Sequence, residues 1–141
     1  MRIPDLNVLL YGADATASRH APARAWIERA LSATETVGFP LVVLLGFIRI
    51  ATNPRVMTDP LTASEAFDFV EEWLAQPPAV VLHPGRRHLG LCRELLEVAG
   101  TAGNLTTDAH LAALAIEHGA TLASFDGDFH RFAALSLEYL G

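Results

Sequence analysis

Short strand-like runs alternate with longer helical ones along the whole of this chain, and that alternation restricts it to an α/β architecture. Arg2 to Asp5 reads as a first strand, with a short helix from Leu6 to Tyr11. Ala17 to Ser32 carries Ala21, Ala25, Ile27 and Leu31 at helical spacing. Thr36 to Phe39 reads as a strand and Pro40 to Thr52 as a buried helix ended by Asn53-Pro54. Thr62 and Glu65 form a capping-box pattern that opens a helix with a stripe of Phe67, Val70, Trp73 and Leu74. A strand at Ala79 to Leu82 precedes a helix from Arg87 to Ala99, which Gly100 stops. Thr107 to His118 is a further helix closed by Gly119, Thr121 to Phe125 a strand, and Leu137 to Leu140 a weak last strand.

With 141 residues and no repeat or linker, residues 1–141 are expected to form one domain with its own core. The single cysteine, Cys92, excludes an internal disulfide and a zinc cluster built from cysteines, and fits a reducing cytoplasm. The opening Met-Arg-Ile-Pro-Asp lacks the long apolar stretch of a signal peptide. The greasiest segment, Val37 to Ala51, is interrupted by Pro40 and Arg49 and is too short to cross a bilayer, so no membrane partner is expected. Lysine is absent, which excludes a Walker A phosphate loop or a Schiff-base mechanism. A net charge of -6 is awkward for a nucleic-acid binder but suits a partner with a basic segment.

Most carboxylates, among them Glu71, Glu72, Glu94 and Glu97, fall opposite the apolar stripes and read as solvated surface. Three do not. Asp5 and Asp126 close apolar strands, so a parallel sheet would deliver both to its carboxyl edge, where open α/β folds bind ligands. Asp108 opens a helix whose apolar face runs through Leu111, Ala112 and Ala115, which puts a charge on a core-facing stripe. Each also has a structural use: Asp5 as a helix cap, Asp108 as a first-turn acid, Asp126 as a turn residue before Gly127. Taken together, carboxylates converging on one edge repel one another unless a cation lies between them. A hard divalent ion such as Mg²⁺ or Mn²⁺, held by oxygen, suits that role and phosphodiester hydrolysis.

The remaining polar residues point to no other chemistry. The six histidines are dispersed and read mostly as surface residues. His110 follows Asp108 by two helical positions and so points about 160° away from it. Cys92 reads as a small buried thiol beside Leu91, Leu95 and Leu96. Trp26 and Trp73 lie at core spacing. Arg49, Arg55, Arg86 and Arg87 either contact phosphates or pair with nearby acids.

Four segments in order resemble the VapC branch of the PIN-domain family, over nearly the whole chain. Pro4-Asp5-Leu6-Asn7-Val8-Leu9-Leu10-Tyr11 looks like its first acidic motif. Leu44 to Ile50, running on to Thr52-Asn53-Pro54-Arg55, resembles the second. Gly103 to Ala115 is similar to the third, and Ser124-Phe125-Asp126-Gly127-Asp128-Phe129 to the fourth. The resemblance implies a PIN fold, with a mainly parallel central sheet flanked by helices and an acidic pocket holding Mg²⁺ or Mn²⁺. It also implies a toxin that hydrolyses RNA phosphodiesters, leaving a 5′-phosphate and a 3′-hydroxyl, pairs with itself as a homodimer and is neutralised by a VapB-like antitoxin. Asp5 and Asp108 would be the principal ligands, and Asp126 would complete the site. Asp128 would either join it or stabilise the last turn. Asn7 would orient Asp5, Thr107 would contact the site or cap its helix, and Arg49 would contact substrate.

The departure is Gly46, which stands where many relatives carry a glutamate. Three readings follow: a weaker metal site still active with Asp5, Asp108 and Asp126; compensation by Asp128; or a module that binds RNA or antitoxin without cutting. A phosphatase with an aspartyl nucleophile would need an acid where this chain has Asn7, together with the missing lysine.

Overall fold

The computed structural model describes residues 1–141. Five strands, β1 (Arg2–Pro4), β2 (Val37–Pro40), β3 (Ala79–Leu82), β4 (Thr121–Ser124) and β5 (Ser136–Tyr139), form one sheet in the order β3-β2-β1-β4-β5. Every pairing is parallel. The helices are α1 (Leu6–Ala13), α2 (His20–Ser32), α3 (Leu41–Ala51), α4 (Ala63–Leu74), α5 (His88–Ala99) and α6 (Thr106–Glu117), with short 3₁₀ turns at Gly103–Leu105 and Gly127–Arg131. The chain runs outward from β1 through β2 to β3, then returns across the sheet to β4 and β5. The order therefore reverses between β1 and β4, and the carboxyl edge there is the crevice in which open α/β sheets bind ligands.

Burial explains the strand sequences. The strands β1, β2 and β4 are covered on both faces and read as nearly unbroken apolar runs, whereas the edge strands β3 and β5 are partly exposed. One core of buried side chains links the sheet to its helices, with Phe39 stacked on Trp73 and Phe47 set edge-on against the same indole. Thr62 and Glu65 form the reciprocal capping box at the start of α4. The face that α4 buries runs through Ala66, Val70 and Trp73, while Phe67 is exposed, because the sheet lies one position round the helix from the expected stripe. Gly100 and Gly119 end their helices at φ of 75° and 60°, conformations that cost other residues a clash at Cβ.

Two expectations about α5 need correction. Its buried residue is His88, whereas Leu91, Leu95 and Leu96 are only half-buried, so this helix turns a polar contact inward rather than a leucine stripe. His88 is therefore not a surface histidine. No helix is long and apolar enough to cross a membrane.

Candidate active site

The site grows from the junction of β1 and β4. Pro4 pairs with Ala123, and the next amide, that of Asp5, donates to the Ala123 carbonyl at 2.9 Å, so Asp5 and Ser124 emerge side by side. Asp5 is buried and also serves as N-cap of α1: its Oδ1 accepts from the Leu6 amide at 2.7 Å. Its Oδ2 accepts from Ser124 Oγ at 2.6 Å and from Asn7 Nδ2 at 3.0 Å. The cap and the site residue are thus one carboxylate, fixed by three donors. Burial raises its pKa above the usual range and the charge of Asp126 raises it further, against the hydrogen bonds from Ser124, Leu6 and Asn7.

Asn7 ties the two strand ends together. Its Nδ2 also reaches Ser124 Oγ at 3.2 Å, and its Oδ1 accepts from the Phe125 amide at 3.2 Å. Ser124 is fully buried, and its Oγ receives the Asp126 amide at 2.9 Å. Asp126 in turn caps the following 3₁₀ turn, accepting from the Asp128 amide at 2.8 Å. This chain of contacts sets the direction of each carboxylate at the sheet edge.

Asp108 arrives from the first turn of α6, half-buried, and its carboxylate makes no hydrogen bond within the chain. Its pKa is raised by burial and by the charges of Asp126, Asp5 and Asp128, with Arg131 acting in the opposite sense. The fold therefore gathers Asp5, Asp108, Asp126 and the more exposed Asp128 into one electrostatic neighbourhood. Thr107 and Arg49 are exposed and bond to none of them; α6 begins at Thr106 after Leu105 without any side-chain cap, so the capping alternative for Thr107 does not hold.

Ser124 and Arg131 carry no local sequence signal of a role at this site. Ser124 ends a strand and Arg131 sits in a polar turn; only the register of β4 against β1 and the fold of the last turn bring them to the carboxylates. Gly46 is buried on α3, and a Cβ there would stand 3.2 Å from Leu6 Cδ2. The space next to this position is therefore filled by the residue that follows Asp5. A groove of about 520 Å³ lies elsewhere, lined by residues of α2 and α4 such as Arg24, Ile27, Glu72 and Trp73, and contains none of the four aspartates.

The donors at the sheet edge are all oxygens, and their mutual repulsion is offset by the single arginine that acts on Asp108. That donor set fits a hard divalent cation such as Mg²⁺ or Mn²⁺ and lacks the nitrogen and sulfur ligands that zinc prefers.

A family model described as PIN domain matches residues 2–135. The chain is similar to ribonuclease VapC37 of Mycobacterium tuberculosis, 46% identical over 132 residues that cover 94% of this chain and 92% of the relative. It is also 44% identical to ribonuclease VapC33 of the same species over 135 residues, 96% of this chain and 94% of the relative. Among solved structures it resembles VapBC2 from Rickettsia felis bound to a DNA fragment from their promoter, with a TM-score of 0.72, 17% identity and coverage of 98% and 97% of the two chains. It likewise resembles DNA-bound VapBC from Salmonella typhimurium, with a TM-score of 0.69, 16% identity and coverage of 99% and 98%.

Proposed function

The chain belongs to the PIN-domain family, and from that premise we propose that it is a VapC-type endoribonuclease toxin, a Mg²⁺- or Mn²⁺-dependent hydrolase of RNA phosphodiesters. The observation that supports the reading is the repulsion that Asp126, Asp5 and Asp128 exert on Asp108, with Asp5 and Asp126 following β1 and β4 and Asp108 in the first turn of α6. The ribonuclease names of relatives that are 44–46% identical support it.

In this reading Asp5, Asp108 and Asp126 would hold the ion, and the more exposed Asp128 would be available as a further ligand. When bound, the ion lowers the pKa of a water and neutralises charge developing on the phosphoryl group. Ser124 and Asn7 orient Asp5 and favour its ionised form against the opposing effect of burial: each donates to Oδ2. Arg131 offsets the charge of Asp108, and the exposed Arg49 is available to an RNA phosphate. Hydrolysis leaves a 5′-phosphate and a 3′-hydroxyl.

The partner assignment rests on the solved VapBC assemblies that the fold resembles. We assign this chain a cognate VapB-like antitoxin, a homodimeric state and a cytoplasmic location, with residues 1–141 acting as one domain. An antitoxin with a basic tail suits the net charge of -6.

Purified protein incubated with Mg²⁺ and total RNA tests the activity. The expected result is metal-dependent cleavage with 5′-phosphate ends, lost in Asp108→Ala. Cleavage that survives chelation, or that is undiminished in Asp108→Ala, would overturn the reading. The pattern left by Gly46 favours one rival, a binding module without activity, which predicts antitoxin binding and no cleavage with either metal.

A further inference from the structure

A second cluster of ligating side chains lies between α5 and α6, on the side of α6 away from the carboxylates. His88 opens α5 and Cys92 follows one turn later, so both face the same way; His110 comes from α6. His88 Nε2 lies 2.7 Å from His110 Nδ1 and 3.5 Å from Cys92 Sγ, and one ligand atom of each of the three residues lies within 4.8 Å of the others. The two imidazoles meet edge to face, with centroids 4.7 Å apart and planes at 85°. His88 is 5% exposed, and its other ring nitrogen, Nδ1, stands 3.4 Å from Glu117 Oε2. Both of those atoms are buried and neither has a hydrogen-bond partner.

Hydrogen bonding within the protein leaves this cluster unfinished. Nε2 of a neutral His88 can either donate one proton or offer one lone pair, yet two groups, the His110 ring and the Cys92 thiol, converge on it. His88 Nδ1, meanwhile, faces a buried carboxylate without bonding to it, an arrangement that costs free energy as it stands. A cation at the centre resolves both problems. It takes the lone pairs of His88 Nε2, His110 Nδ1 and the thiolate together, and commits the His88 proton to Nδ1, where Glu117 can accept it. A carboxylate behind a ligating histidine is a recurrent orienting device around metals.

We propose that His88, Cys92 and His110 bind a borderline transition-metal cation, best matched by Zn²⁺, at a site separate from the carboxylate centre. Two nitrogens and a sulfur select zinc over magnesium, by the same softness argument that assigns the aspartates to a hard ion. The spacing is close to what zinc needs. With Zn–N of about 2.0–2.1 Å and Zn–S of about 2.3 Å, tetrahedral ligands stand about 3.3 Å (N to N) and about 3.6 Å (N to S) apart. The distance from Cys92 Sγ to His88 Nε2 already fits, that from Cys92 to His110 is at most 4.8 Å, and the two rings must part by about half an ångström. On binding, the Cys92 thiol loses its proton to solvent and the sulfur–metal bond forms, with no change of oxidation state. Three protein ligands leave a fourth position for water. The ion clamps the start of α5 to α6, two residues beyond Asp108 but on another face of the helix.

Co²⁺ is the probe for the metal-free full chain, because thiolate ligation gives it a near-ultraviolet charge-transfer band and low coordination gives intense visible bands. One Co²⁺ per chain with both signatures is expected, displaced by Zn²⁺. Cys92→Ser should lose the charge-transfer band, His110→Gln should bind at least about tenfold more weakly, and Glu117→Gln should lose about tenfold in affinity as an orienting partner. Asp108→Asn should keep the full spectrum. Zn²⁺ should raise the unfolding temperature of the parent and not of Cys92→Ser, with far-ultraviolet circular dichroism confirming that each variant is folded. Absence of the charge-transfer band in the parent, equal Zn²⁺ stabilisation of Cys92→Ser, or loss of the spectrum in Asp108→Asn would overturn the proposal.

Discussion

Ser124 Oγ donates a 2.6 Å hydrogen bond to Asp5 Oδ2 across the β1–β4 junction, so the last residue of one strand holds the carboxylate that follows its neighbour. The same oxygen accepts the Asp126 amide, and one buried hydroxyl thereby sets two of the four acids. Ser124→Ala is predicted to cost about 1–3 kcal/mol of stability, because it leaves buried groups without partners. Chemical unfolding measures that loss. RNA cleavage should fall at least tenfold; full activity in a folded Ser124→Ala protein would show that the hydroxyl only packs.

Two aspartates of the one site should respond oppositely when neutralised. Asp108 accepts no hydrogen bond and is raised by burial and by its acidic neighbours, so Asp108→Asn should stabilise the metal-free protein, by about 1 kcal/mol or less once solvent screening is allowed. Asp5→Asn sets an amide against the donors Ser124 and Asn7 and should destabilise it by about 1–3 kcal/mol. Both should abolish cleavage. Thermal unfolding in chelator compares them, and a shift of the same sign in both contradicts the account.

The pH dependence follows from the raised values. Asp5 and Asp108 have native pKa values above the ordinary 3.8, so as pH rises past that point the unfolded chain releases its protons first. Each group therefore subtracts stability from the metal-free native state across the window between 3.8 and its raised native value, and the deficit persists above it. A divalent ion should reverse this. Added Mg²⁺ is expected to raise the unfolding temperature more at about pH 7.5 than at about pH 5, since it binds the ionised acids. Equal increments at both pH values would contradict the assignment.

Gly46 is closed off by Leu6 rather than merely short of a side chain. Gly46→Glu is predicted to cost about 1–3 kcal/mol, as an overpacked core position does, with no gain in Mg²⁺ affinity. Adding Leu6→Ala opens room, and the double variant should bind Mg²⁺ more tightly than the parent by calorimetry.

The fold was largely legible because its signals are local and agree with one another: Thr62 and Glu65 mark a helix start, Gly100 and Gly119 mark helix ends, and Ala79 to Leu82 is a strand with the bounds expected. Asp5, Asp108 and Asp126 stand out as candidates in the sequence itself, since a charge at the end of an apolar strand or on an apolar stripe contradicts its surroundings. Ser124, Arg131 and the meeting of His88 with His110 do not. Each is an ordinary residue in its own segment and gains its role from β4 register or from the packing of α5 on α6, which no local pattern encodes. Phe67 misled for a related reason: a helical stripe fixes a face only to within one residue, and the sheet chose Ala66.

The proposed activity requires that Asp5, Asp108 and Asp126 share one divalent ion. Crystals soaked in Mn²⁺ and measured for anomalous scattering test it directly. The expected result is a peak within coordination distance of all three carboxylates at the β1–β4 switch point, absent from Asp108→Asn. A peak that touches only one of them, or no peak in crystals of protein that cleaves RNA with Mn²⁺, would contradict it.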